Sequence, residues 1–331
     1  MIHIRQAKYE DIPRIMKFID EHWKKNHIMA RDRAMFEFQH LGPDKEVYYI
    51  LAEDDNDNVL YGTMGYIPFS NQDWACMSTC MICAIKNPEN RMLGEEMARY
   101  FEQNMRCYNV FSVGVEKRYA KVISTINSEN IGLLEHYYRL NDLKNYKIAK
   151  VNKRICLPVK GNASLILMEN MDEFVSHMNW TVLEKDYPRR GKEYIKHRYY
   201  EHPYYNYLIY GIANNKLCDA AFVAREEKIN DAKVLRIVDW FGNRCAIADC
   251  GIAIDDLLHK NNYEYVDFYC YGMPHDAMEK GGFIRRDEND KNIIPNYFHP
   301  FEQKNIDIYF YTWYKNNIAV FRGYGDQDRP N

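Results

Sequence analysis

The sequence predicts an α+β fold in two tandem domains, each a mixed sheet with flanking helices. A unit of strand, helix, strand and short helix occurs twice, at 74–140 and 234–283, as a repeat of fold rather than of letters. Two apolar runs around a turn precede each copy, the signature of an antiparallel hairpin. Within each copy a helix separates the two strands, which lets them lie parallel in one sheet. A length of 331 residues accommodates two cores.

The chain opens with a short strand, His3–Arg5, and Asp11 then precedes a helix with Ile12, Ile15, Met16, Ile19 and Trp23 on one face. ARDRAMFEFQHL reads as a second helix ended at Gly42-Pro43, and the runs flanking Asp54–Asn58 as a hairpin. Trp74–Ile85 has strand length, and Leu93, Met97, Tyr100 and Phe101 share a helical face behind it. Asn109–Val115 is the next strand, and Asn127–Leu140 reads as a helix. A boundary falls near Val151–Pro158, giving domains 1–153 and 154–331.

A hairpin turning at Asn214-Asn215 leads into the second copy. There, Val234–Gly242 is a β-branched strand, and Ala246–Asn261 a helix with Ile247, Gly251, Ile254 and Leu258 in register. The aromatic run Tyr263–Tyr271 suits a buried strand. Met273–Phe283 is a short helix, with Pro274 at its start and Gly281-Gly282 after its end. The tail from Asn296 contains strands and ends in a surface segment.

The chain is 47% hydrophobic and 27% charged, ordinary for a globular protein. A net charge of −3 gives no global attraction to nucleic acid or anionic membrane. The charged N-terminus and the lack of any run of membrane-spanning length point to a cytoplasmic protein. The nine cysteines are an odd number scattered through apolar segments, which suits reduced, buried thiols.

Strand, two helices and hairpin, then strand–helix–strand–helix ending in GGF at Gly281–Phe283, resembles the GNAT (Gcn5-related N-acetyltransferase) fold. ARDR, the MLG at Met92–Gly94, GMPHDAMEKGGF, NIIPNYFHPF and FRGYGDQDRPN are similar to tandem GNAT proteins of bacterial surface-polysaccharide gene clusters, over nearly the full length. The resemblance implies two GNAT-like domains with mostly antiparallel sheets. In each, two middle parallel strands part to admit a long thin thioester. It implies acetyl-CoA or another acyl-CoA as co-substrate, without a metal.

In that family the diphosphate of coenzyme A rests on a Q/R-x-x-G-x-G/A loop at a helix start, where unpaired N–H groups face the anion. The register here is Glu89-Asn90-Arg91-Met92-Leu93-Gly94, keeping only the last glycine, while Arg244–Ala248 keeps none. If either half binds coenzyme A, the first is the better candidate; a plain helix start packing on the sheet is the other reading. Arg91, Met92, Leu93 and Gly94 form the cofactor set, with Asn130 from the asparagine-rich start of the supposed fourth helix. Glu116, just past the second core strand, is either the base that takes the amine proton or a solvated loop carboxylate. Tyr137 and Tyr138 fit the family's acid for the leaving thiolate, or are core. Arg31 and Arg33 lie where such enzymes build the acceptor pocket, as a grip on an acidic substrate or as surface ion pairs. Asp239 and His275 are the ionisable groups placed toward substrate in the second half.

Cys76, Cys80 and Cys83 have iron–sulfur spacing. On a strand, alternation puts Cys83 on the opposite face from the other two, so the thiols cannot converge. His197, His202, His275 and His299 lack zinc spacing, and Asp326 and Asp328 read as a solvated end.

The function that follows is acyl-CoA-dependent N-acylation of a small amine, an amino sugar or sugar nucleotide for surface-glycan synthesis. A non-catalytic scaffold of two degenerate GNAT domains is the alternative. An aminoacyl transferase using charged tRNA is a third, which the acidic balance opposes.

Overall fold

The computed structural model describes residues 2–54, 59–85, 91–126, 130–213, 216–325 and 327–330, with 122–126 as backbone alone. The hairpin turn at 55–58, Glu89-Asn90, the start of the supposed helix at 127–129, the Asn214-Asn215 turn and Asp326 lie outside the described residues.

In the first half β1 (Ile2–Gln6) leads to α1 (Ile12–Phe18), which buries Ile12, Ile15 and Phe18 and runs into a π turn, Ile19–Trp23. The second helix is two short ones, α2 (Ile28–Arg31) and α3 (Arg33–His40). The Asp32 carboxylate accepts the Met35 N–H at 2.9 Å, so it caps a new helix and does not continue the old one. Then come β2 (Tyr49–Asp54), β3 (Leu60–Pro68), β4 (Ala75–Ala84), α4 (Leu93–Asn104), β5 (Cys107–Val115) and α5 (Lys117–Ile126). Residues 131–140 are not helical: they form β6 (Ile131–Leu133) and β7 (Glu135–Leu140). His136 through Leu140 are all buried, and burial of successive residues on opposite faces is what a central strand allows.

The second half contributes β8 (Ser164–Leu167), α6 (Met171–His177), α7 (Trp180–Leu183), α8 (Lys192–Ile195), β9 (Tyr207–Ala213), β10 (Ala220–Ile229) and β11 (Ala232–Gly242). A 3₁₀ turn, Arg244–Asp249, precedes α9 (Gly251–Asn261), so the regular helix begins later than its periodicity suggests. It is followed by β12 (Tyr265–Tyr271), α10 (His275–Lys280), β13 (Ile284–Arg285), β14 (Tyr297–Phe298), β15 (Phe301–Glu302), β16 (Tyr309–Thr312) and β17 (Val320–Phe321).

The first sheet runs β1-β2-β3-β4-β5-β16-β6 and the second β13-β7-β12-β11-β10-β9-β8, with β17 added to β12. In each, among the described residues, only the central pair, β4 with β5 and β11 with β12, is parallel. Strands cross the 153/154 line both ways: β7 sits between β12 and β13, and β16 between β5 and β6. Gly132 makes room for the arriving strand, because any side chain there would strike the Phe310 ring. The largest apolar cluster joins Phe69, Cys76, Phe111 and Val113 of the first half to the second sheet. No helix among the described residues is long and apolar enough to cross a membrane.

Two further sequence expectations are corrected. The terminal segment is interior: Tyr324 and Asp328 are fully buried, because Gly323 and Gly325 let the backbone pass close to Val238 and Ser78. Cys83 also shares the face of Cys80, since both join the cluster beneath α1–α3. Met81, at φ +46°, adds a bulge that shifts the alternation by one.

The exchanged β7 is tied in by a buried ion cluster. Arg236 on β11 donates Nε and Nη2 to Asp267 of β12 at 3.0 and 2.7 Å, and His136 of β7 reaches the same carboxylate at 3.2 Å. Burial pushes the Asp267 carboxyl up, but the Arg236 charge and the hydrogen bonds outweigh it and hold it at about 2. Replacing Asp267 by Asn strands the Arg236 charge, with an expected loss of about 3–5 kcal/mol in urea unfolding at neutral pH. A loss below about 1 kcal/mol would place the cluster outside the folding energetics.

Candidate active site

Backbone groups left between two parting strands are the obvious polar feature of such a sheet. β4 and β5 pair from Ala75↔Cys107 to Ser78↔Phe111 and no further among the described residues. The Met81 bulge, where the register with β3 slips between Thr63 and Gly65, carries β4 away. At the apex Ser78 Oγ donates to Phe111 O at 2.8 Å, and on the other face the Thr79 and Ser112 hydroxyls share a hydrogen bond. Thr79–Ala84 and Ser112–Val115 thus border a gap that opens toward the starts of α4 and α5.

α4 begins at that mouth. Among the described residues its N-cap, Met92, makes no side-chain cap hydrogen bond, and the first N–H groups of a helix are those an anion can take. Leu93 is buried and Gly94 half-buried, while Arg91 and Met92 are exposed. Glu95 and Glu96 in the first turn complement the helix dipole but oppose a second anion. Glu116 is exposed at the end of β5, and its carbonyl accepts the Ala120 N–H at 2.8 Å to start α5. Asn130 hydrogen-bonds Tyr311 of β16.

The remaining sequence candidates lie elsewhere. Tyr137 and Tyr138 are on β7 in the second sheet. The Tyr137 hydroxyl meets His275 Nδ1 at 3.2 Å and Glu135 at 3.3 Å, and that of Tyr138 donates to Asp290 at 2.6 Å. Asp239 is fully buried against Arg190 at 2.6 Å and the Tyr199 hydroxyl at 2.5 Å. Arg33 pairs with Glu37 at 2.7 Å over the Tyr9 ring, and Arg31 donates to Asn26 O at 2.5 Å. The structure therefore brings Tyr137 to His275 and clusters Arg91–Gly94, but gathers no single constellation from the whole set.

The second half repeats the parted strands and fills them. β11 and β12 pair only from Leu235↔Val266 to Ile237↔Phe268. Beyond that point β17 lies on β12, and the Gly323 N–H donates to Val238 O at 2.7 Å. The start of α9 is covered as well: a Cβ on Gly251 would come within 2.6 Å of Val159, and Gly161 lies on the Asp249 carbonyl. Chain thus lies in both places where the first half leaves space.

Sequence reading missed the polar cluster beneath α2 and α3. His40 Nδ1 donates to Tyr66 O at 3.2 Å, its Nε2 accepts from Gln39 at 3.1 Å, and Cys80 of β4 is 4.0 Å away. His27 accepts the Met29 N–H on Nδ1 at 3.3 Å. The adjacent Gln39-His40 pair at a helix end was the available signal. Among the described residues no group of three or more His, Cys, Asp or Glu could hold a metal ion.

No family model matches this sequence, and no curated protein does. Solved structures do. A GCN5-related N-acetyltransferase from Anabaena variabilis aligns over 94% of this chain and 72% of its own, at 10% identity and TM-score 0.51. A conserved Enterococcus faecalis protein of unknown function, described as a probable N-acyltransferase, aligns over 86% and 70%, also at 10% and 0.51. At this identity the likeness is one of fold, and the chain has a tandem GNAT-like α+β architecture.

Burial, with the Arg329 charge, lowers both His27 and His40 from 6.5 to about 3. The fold keeps them neutral while the unfolded chain protonates near 6.5, so their contribution is complete above that pH and shrinks as it falls toward 3. Urea unfolding should weaken from pH 6.5 to 5, and His40→Asn should flatten that decline by roughly 2 kcal/mol. An unchanged slope would place the charge of His40 elsewhere.

Proposed function

We propose that the chain is an acyl-CoA-dependent N-acyltransferase working at the parted strands of its first half. The carrying observation is the contrast between the halves: among the described residues no segment pairs with β4 and β5 beyond the apex of the first gap, while its counterpart is filled by the chain itself. The diphosphate would rest on the N–H groups of Leu93 and Gly94, beside Arg91 and Met92, and the pantetheine arm would lie along β4. Backbone groups facing the gap would hold the thioester carbonyl. Asn130, hydrogen-bonded to Tyr311 of β16, would reach the same mouth past α5.

The acceptor nitrogen attacks the thioester carbonyl from the face away from α4, its proton leaves to solvent or to Glu116, and the C–S bond breaks to release coenzyme A. A thiol of pKa about 8.5 leaves as thiolate with little help, so the distance of Tyr137 and Tyr138 from the gap costs the reading little. An amine of pKa near 8 is neutral about a tenth of the time at pH 7, against about one part in 2,500 for a lysine-type amine. That favours an amino sugar or sugar nucleotide as acceptor, in keeping with the surface-polysaccharide resemblance. Asp239, His275, Arg31 and Arg33 have no role in this reading. The scaffold alternative draws on Met92, Glu95 and Glu96, which crowd an anion.

Titration calorimetry with acetyl-CoA should give one site per chain, with a rise in thermal unfolding temperature. Gly94→Ala should separate binding from folding. Among the described residues Ala84 Cβ, at 4.0 Å, is the nearest atom to a Cβ added at Gly94, so α4 gains up to about 1 kcal/mol while the methyl group crowds the diphosphate. No heat and no thermal shift with acetyl-CoA would favour the scaffold.

A further inference from the structure

The segment that fills the second gap does not stop there. After Gly323 the chain turns toward the first sheet. Gly325, at φ +64°, lies against the Ser78 hydroxyl, and Gln327 lies over Gly114 of β5, where a side chain would collide with it. Tyr324 packs on Phe69 and Phe111 at 5.0 and 5.6 Å between ring centres. Arg329 comes near enough to influence both His27 and His40. The segment thus crosses the apex on the face of Ser78 and Phe111, opposite α4.

One residue pins it. Asp328, fully buried, receives Arg225 Nε at 2.8 Å and the Tyr207 hydroxyl at 2.7 Å, and Arg322 Nε lies 3.9 Å away. Arg198 donates to the carbonyl of Asp328 at 2.9 Å and to those of Gly323 and Gly325 at 3.3 and 3.2 Å. Glu227 pairs with Arg225 from the same strand. A buried aspartate with this much support is an expensive anchor for a chain end that only covers surface.

We propose that Gly323–Gly325 and Gln327–Arg329 form the acceptor-side wall of the first half's gap, and that Asp328 is the positioning residue holding it there. The proposal rests on the acyltransferase reading for the word acceptor; the wall itself is a matter of geometry. Its consequence is that the second half, rather than binding a second acyl-CoA, carries the strap that closes off the first half's site. An amine reaches the thioester past Gly325 and Gln327, and water is kept from it.

The test uses the full chain carrying Ser78→Cys as a reporter, with N-ethylmaleimide modification at position 78 followed by mass spectrometry. Modification should be slow in that background and about tenfold faster once Asp328→Asn weakens the charged hydrogen bonds. Tyr207→Phe removes one hydrogen bond to the same carboxylate and keeps the charge balance, so it should give a smaller rise even if Asp328→Asn fails to fold. Equal rates in the background and in the folded variants would overturn the wall. Acetyl-CoA calorimetry and acceptor-free acetyl-CoA hydrolysis then separate the two ideas. Faster labelling with unchanged acetyl-CoA affinity and faster hydrolysis supports both. Faster labelling with no acetyl-CoA binding keeps the strap and removes the acyltransferase reading.

Discussion

Each sheet is completed by a strand from the other half, and the rest of the structure depends on that exchange. A strand brings a full row of N–H and C=O groups that must be paired when buried. β7 leaves the first half to pair with β12 and β13, and β16 returns to pair with β5 and β6. Neither sheet can complete its ladder from its own side of residue 153. The main chains pass each other where the Leu134 N–H donates to Ile308 O at 2.9 Å, and the largest apolar cluster forms around that crossing. The halves are therefore held in one orientation by backbone hydrogen bonding as well as by apolar contact.

That fixed orientation explains how two copies of one topology come to differ. Parted parallel strands leave unpaired backbone groups, which need water, a ligand or another chain segment. In the second half the need is met internally by β17, by Gly323 and by the turn at Gly161 over the start of α9. In the first half the apex is sealed by the hydroxyls of Ser78, Thr79 and Ser112, and the strands beyond stay apart. The segment that satisfies one gap is delivered to the rim of the other only because the exchange sets the two side by side.

Much of the architecture was legible in the sequence because it follows from local pattern. Pro274 and Gly281-Gly282 marked the limits of α10 correctly, and the burial of Leu93, Met97 and Phe101 on α4 follows their spacing. Over 131–140 the expected helix is replaced by strands for a tertiary reason. Tyr137-Tyr138 suits a helix or a central strand equally, and only the vacancy beside β12, created by distant residues, decides for the strand. The single second helix failed at Asp32, whose capping bond to Met35 outweighs continuity. The interior course of the tail was hidden because Arg322 and Asp328 look solvent-facing until Arg225, over a hundred residues upstream (|i−j| = 103), supplies the partner. Site residues were least legible, since Tyr137, Tyr138 and Asp239 had been placed by analogy with elements that here face other neighbours.

The electrostatics of the strap bear on which amines such a site would accept. Around it lie the guanidinium groups of Arg198, Arg225 and Arg322, with Asp328 and Glu227 as their buried carboxylates. With Arg190, Asp239 and Asp186 at Tyr324 included, four guanidinium groups face four carboxylates and the charges balance, while Arg329 places a positive charge near His27 and His40, which burial keeps neutral. A poorly hydrated surrounding disfavours an ammonium ion and lowers the pKa of an amine brought into it. Under the acyltransferase reading this shift acts in the direction catalysis requires, because the free base is the nucleophile. An amine already near pKa 8 needs only a small further shift, whereas a lysine-type amine near 10.4 would have to surrender far more of its hydration to enter. The strap would then select by basicity as well as by shape, with no strong base needed beside the thioester.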